Sequence, residues 1–409
     1  MLDLILTNAR IENREKPVNI GILDGKITHI EEKMDASAKA KKTYDAENQF
    51  VFSGFYESHI HLDKACILDR CTIEEGTLEE AVSETGKAKK DFTEEDVFER
   101  ASRVVEMAIK KGTVGLRTFV ETDPKTELRS FNAIKKVRQT YAFAIDIEIC
   151  AFAQEGLTTE MRTYDLLQEA LKNGADLVGG CPYKDEDPDR HIEMIFDLAQ
   201  QFDVDVDFHL DFDLDPNNSS IPKIAEETIK RKYQGRVSIG HVTKLAAMSK
   251  TQREEMAALL KKADITLTVL PATDIFLNGR DHEPLIPRGM VNAHLLLEKG
   301  INTTISSNNI LNAFTPYGDA SLVRMANMYA NLAQISKDSE IQQVYEMVTK
   351  NAAKLLAKQT EIKVGAAANF VVMEAENAVD AIRTIAQPLV GFKNGKQTFS
   401  NEKAQIYFE

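Results

Sequence analysis

Apolar and polar positions change period along this chain. Near the N-terminus they alternate in short runs, LILTNARI, NIGILDG and KITHIEE, and near the C-terminus in NFVVME and LVGFKNGKQTF. A period of two marks a strand with one buried face. Asp24-Gly25 and Asn394-Gly395 stand between such runs, where a two-residue hairpin turn needs positive φ. Gly365 opens another turn. The pattern predicts a small β-sandwich domain made jointly by residues 1–50 and 359–409.

Residues 51–358 follow a different rhythm. Eight apolar or β-branched runs predict strands: FVFSGFYESHIH, TVGLRTFVE, IDIEICAFA, DLVGGC, VDVDFHL, RVSIGH, DITLTVL and INTTISSN. Between most of them lie segments with helical spacing. DVFERASRVVEMAIKKG, TYDLLQEALKNG and PRGMVNAHLLLEKG all end in a basic or polar residue and glycine, as helix C-termini do. Cys181, His209 and His241 end three successive strands, 28 and 32 residues apart. This order predicts an α/β fold, a (β/α)8 TIM-like barrel. An open doubly wound sheet is the competing architecture, but it calls for a glycine-rich dinucleotide turn, and no GxGxxG is present. The charged stretch YKDEDPDRH, 183–191, reads as a solvated loop.

Charge narrows the partners. The chain has 409 residues and a formal net charge of −14, so it lacks the clustered cations that phosphate backbones require. No apolar run approaches 18 residues, and MLDLILTNARIEN is too short and acidic for a signal peptide. Four cysteines without a CxxC pair suit a reducing cytoplasm. The expectation is a cytoplasmic protein acting on a small molecule, with no nucleic acid and no membrane. Its acidic charge is expected to lie mostly away from the reactive centre.

In a barrel, reactive groups gather at the C-terminal strand ends. The first strand ends in His59-Ile60-His61, and residues i and i+2 of a strand share a side. His209 ends the fifth strand and His241 the sixth, so four of eight histidines fall on three strand ends. A lone HxH is more often a packing pair than a metal site. Convergence of three strand ends on one cavity reverses that, because neutral imidazole is the commonest transition-metal ligand. His29, His191, His282 and His294 read as structural or exposed.

FSGFYESHIHLDKA, VDFHLDFD, GHVTKL and SSNNILNAFTPYGD, with ILTNARI and I-x-V-G-x-x-A-x-F-V-V at the ends, resemble the amidohydrolase superfamily in order and spacing. The nearest branch is that of cytosine deaminase and N-isopropylammelide isopropylaminohydrolase. The resemblance implies one divalent ion, zinc or else iron or manganese, on His59, His61 and His209, with His241 handling protons at the water. It implies substrate contacts from Lys64, Gln154 and Arg280, and a tendency to form homo-oligomers. The fourth strand ends in GGC without a bridging lysine, which implies one metal at most.

Two positions depart from the family. Its aspartate at the end of strand eight, a metal ligand and base, is replaced by Asn308, followed by Asn309. The glutamate three residues after the third ligand is replaced by Phe212. If the strand persists, Asp211 shares the His209 side and Phe212 points away, so Asp211 becomes a candidate catalytic carboxylate, with Asp213 or Glu121 able to assist. The loop around Asp274, Arg280 and His282 is expected to cover the pocket. The reading that follows is a mononuclear metal hydrolase of a cyclic C–N bond, deaminating a nucleobase-, pterin- or triazine-like ring. The alternative is a metal-poor, catalytically impaired homologue that only binds a small molecule.

Overall fold

The computed structural model describes residues 1–33 and 39–407. Eight parallel strands form the central sheet: β6 (Phe55–Ile60), β7 (Thr113–Glu121), β8 (Asp146–Ala153), β9 (Leu177–Gly180), β10 (Asp205–Leu210), β11 (Val237–His241), β12 (Ile265–Val269) and β13 (Thr303–Ile305). Each pairs with its sequence neighbours. The circle closes just beyond β13, where Asn308 N donates to His59 O and His61 N donates to Asn308 O, both at 2.9 Å. Helices between the strands cover the outside. One example, Glu94–Lys110, is capped by Thr93, which accepts from Asp96 N, and it buries Val97, Ala101, Val104, Val105 and Ala108. It stops where Gly112 takes φ +84°.

The two ends of the chain supply two further sheets. One contains β1 (Leu2–Ala9), β2 (Val18–Leu23), β3 (Lys26–Glu31) and β4 (Ala40–Asp45), with β4 running parallel to β1. The other contains β5 (Phe50–Phe52), β14 (Phe370–Met373), β15 (Pro388–Lys393) and β16 (Lys396–Ser400), all antiparallel. Leu4, Leu6, Ile20 and Ile22 of the first meet Val51, Phe370, Val372 and Val390 of the second in one apolar cluster, so the pair is a sandwich. Both predicted hairpin turns have the expected positive φ, at Asp24, Gly25, Asn394 and Gly395.

Four sequence expectations change. FVFSGFYESHIH is two strands, because Gly54 at φ +99° redirects the chain and sends Phe50–Phe52 to pair with β14. PRGMVNAHLLLEKG holds only one helical turn, His294–Leu297, after Gly289 takes φ +66°. The C-terminal segment includes a helix, Ala378–Thr384, besides its strands. Within 183–191 two groups are buried: Asp185 accepts from Leu157 N and Thr158 N and holds His191 Nδ1 at 2.6 Å. No helix among the described residues is long and apolar enough to cross a membrane, and all four cysteines are free thiols.

Candidate metal centre

His59 and His61, at the end of β6, and His209, in β10, each bring a nitrogen within 4.8 Å of the others. All three rings are buried, and His59 Nδ1 and Nε2, His61 Nδ1 and His209 Nε2 have no hydrogen-bond partner. Such orphaned buried polar atoms are costly unless something binds them. Phe119 lies 4.2 Å from the His59 ring and Phe152 4.2 Å from the His209 ring, giving the cluster an apolar floor. Burial first, then neighbouring cationic groups, holds all three imidazoles well below their usual pKa. They are therefore neutral, the form that ligates metal. Unpaired neutral nitrogens converging in a buried pocket suit a divalent transition ion. Gly240 permits the packing: a Cβ there would stand 2.6 Å from His59 Cε1.

His241 faces the same space. Its ring lies 5.4 Å from that of His209, and its Nδ1 donates to Asp274 Oδ1 at 2.6 Å. Asp274 sits on the short helix Pro271–Leu277 and is buried, so it covers no pocket but steers the imidazole. With the proton on Nδ1, Nε2 is left as an acceptor. Asn308 Nδ2 approaches it at 3.4 Å, leaving Asn308 Oδ1 buried and without a partner.

The strand does not persist past β10, and this reverses two expectations. Asp211 takes φ +50° and turns its carboxylate away, accepting from Ser219 Oγ at 2.5 Å and Ser220 N at 3.1 Å. Phe212 points in and packs edge-on against His241 at 4.5 Å. Asp213 pairs with Lys244. Arg280 also leaves the site: it stacks on Phe276 and donates to Glu75 O and Phe276 O.

Lys64 is buried, donates to Glu121 Oε1 at 2.7 Å and Gln154 Oε1 at 3.1 Å, and lies 4.6 Å above the Phe314 ring. Together with His61, His209, His241 and Asn308, both Lys64 and Gln154 line one small, narrow cavity. Behind them, Glu121, Asp123 and Glu155 form a second acidic group close enough to chelate. Lys89 already fills it, with Nζ 2.5 Å from Glu121, 2.5 Å from Asp123 and 2.8 Å from Glu155. Burial would raise Glu121, but the ammonium groups of Lys64 and Lys89 overcome it and hold the carboxyl down at about 2. The histidine group alone is left open to a cation among the described residues.

The acidic charge is thus not kept away from the site. Glu57, Asp63, Glu121, Asp123 and Asp274 are all buried around it, each tied down by a backbone donor, lysine or histidine. Sequence reasoning missed the partnership of Asp274 with His241, although an acid in the helical turn that follows a barrel strand was a usable signal. It also missed Lys89 and Phe314. Three lysines in KAKKD gave no sign of which one turns inward.

A family profile described as Amidohydrolase family matches residues 103–397. N-isopropylammelide isopropyl amidohydrolase of a Pseudomonas species is 27% identical, the alignment covering 98% of each chain. Pterin deaminase of Rhizobium rhizogenes is 24% identical over 92% of this chain and 87% of its own. The solved structure of 5-methylcytosine deaminase from Klebsiella pneumoniae with 5-fluorocytosine superposes with a TM-score of 0.93 at 27% identity, covering 99% of both chains.

Proposed function

The chain belongs to the amidohydrolase family, and on that premise we propose that it is a metal-dependent hydrolase that removes an exocyclic nitrogen from a small heterocycle. The relatives named above for pterin, methylcytosine and an s-triazine support that substrate range. The observation that carries the reading is the convergence of His59, His61 and His209, with unpartnered nitrogens, beside a His241 already oriented by Asp274. His59, His61 and His209 would hold one divalent ion. When bound, such an ion lowers the pKa of water from 15.7 to about 7.

The chain's own residues do the rest. Asp274 keeps the His241 proton on Nδ1, so Nε2 accepts the proton of the attacking water and returns it to the departing amine. Asn308 cannot take that proton, because its amide is neutral and a very weak base, and Asp211 is turned away. Lys64 and Gln154 supply a donor and a reversible amide to the ring's carbonyl and nitrogen edge, and Phe212 and Phe314 keep water from the face they cover. With Lys89 filling the acidic group, one ion is the expected complement.

Asn308 favours a second reading, since removing an anionic ligand weakens metal binding and could leave a protein that only binds its ligand. Two measurements decide. Protein purified without chelator should carry close to one zinc, iron or manganese per chain. It should then release ammonia or amine from an aminated pyrimidine, pterin or triazine in a panel run with each metal added. Absence of stoichiometric metal, or of turnover with every metal, overturns the hydrolase. With its four free thiols we assign the protein to the cytoplasm.

A further inference from the structure

Outside the histidine cavity, and sharing Gln154 and Phe314 with it, lies a wider one. It is lined by four lysines, Lys87, Lys90, Lys125 and Lys184, and by the acids Glu121 and Glu155. Both carboxylates are already neutralised. Glu121 is gripped by buried Lys64 and Lys89, and Glu155 by Lys89 and Lys125. Lys87 pairs with Glu84. Lys90 and Lys184 have no ion-pair partner among the described residues, and they approach the cavity from different elements. In a chain of net charge −14, this concavity with two unpaired lysines borders the histidine cavity at Gln154 and Phe314. A concave wall of one sign concentrates the opposite charge.

We propose that the outer cavity is a subsite for an anionic substituent, a carboxylate or phosphonate-like group, carried by the heterocycle whose amino-bearing carbon lies in the inner cavity. The inference rests on the hydrolase reading of the inner site for the orientation of the ring. It does not rest on that reading for the binding of the anion. Lys90 and Lys184 are the specificity-determining residues, and Gln154 and Phe314 form the passage between the two halves of the ligand. The subsite takes no part in bond breaking.

The test uses the metal-loaded enzyme and matched rings, each aminated pyrimidine, pterin and triazine in neutral, carboxylated and phosphonated form. The anionic members are expected to show kcat/KM about tenfold above their neutral partner through a lower KM, the sum of two partly exposed charge contacts. The double variant Lys90→Gln, Lys184→Gln should lower the anionic-to-neutral ratio about tenfold, and Lys90→Arg, Lys184→Arg should restore it. Equal kcat/KM for anionic and neutral members, or a double variant that leaves their ratio unchanged, overturns the subsite. Calorimetric binding of the unaminated rings is measured in parallel. Preferential binding of the anionic rings that the Gln variant loses supports the subsite even without turnover, in which case only the hydrolase reading fails. Binding that ignores the charge of the ring overturns the subsite whether or not the enzyme turns over.

Discussion

Replacing Lys89 by methionine tests the account of the buried acidic group without needing a substrate. The methionine keeps most of the side-chain volume but removes the one cation shared by Glu121, Asp123 and Glu155. Breaking a buried ion pair by deleting one partner costs about 3–5 kcal/mol, because the other charge stays behind uncompensated. The low end applies here, since Lys64 still reaches Glu121, Lys125 still reaches Glu155, and Asp123 keeps the backbone donors of Lys125 and Thr126. At about 2.1 cal/mol/K per residue, a 409-residue chain unfolding as one unit gains about 0.9 kcal/mol/K. A loss of about 3 kcal/mol therefore lowers Tm by roughly 3–4 °C at pH 7. The pH dependence has a definite sign. Glu121 has a folded pKa of about 2 against an ordinary 4.5, so its stabilising contribution is full above 4.5 and fades as pH falls toward 2. Lys89→Met reduces that contribution, so the Tm gap should narrow as pH drops through this window. Thermal unfolding at pH 7 and pH 4, with the exposed neighbour variant Lys90→Met as control, is the assay. Equal Tm values for the two variants at pH 7, or a gap that widens on acidification, would refute the reasoning.

Other outcomes follow from the same geometry. Asp274→Asn places an amide donor against His241 Nδ1 and drives the proton to Nε2, so kcat should fall by about 10² to 10⁴ while bound metal is unchanged; activity within threefold of the parent would remove Asp274 from the mechanism. Gly240→Ala puts a methyl 2.6 Å from His59 Cε1, which should cost about 1–3 kcal/mol of stability and reduce retained metal, read by unfolding and elemental analysis together. Asn308→Asp adds an anionic oxygen beside the three histidines, so resistance to a competing chelator should rise on the order of tenfold; an unchanged metal affinity would show that the side chain does not reach the ion.

Much of the architecture was legible in the chain. Alternating strand and helix patterns foretold the eight-stranded barrel, whose strands are apolar runs because they are buried on both faces. The four strand-end histidines were legible because a strand's direction and period fix which side chains meet at the barrel mouth. Asp211 and Phe212 were misread because their assignment assumed two more residues of strand. The chain instead turns at φ +50°, where Ser219 and Ser220 offer the carboxylate better partners than the cavity does.

What the sequence determined by itself was the list of chemical groups and the scaffold that delivers them: imidazoles at three strand ends, an amide where a carboxylate is expected, and an overall excess of acidic residues. Only the tertiary structure decided which charges face one another. That Asp274 orients His241 and that Lys89 closes the acidic group depend on contacts between residues 32 to 66 positions apart. Local periodicity carries no information at that range, because it records which face of an element is buried and not what is buried against it.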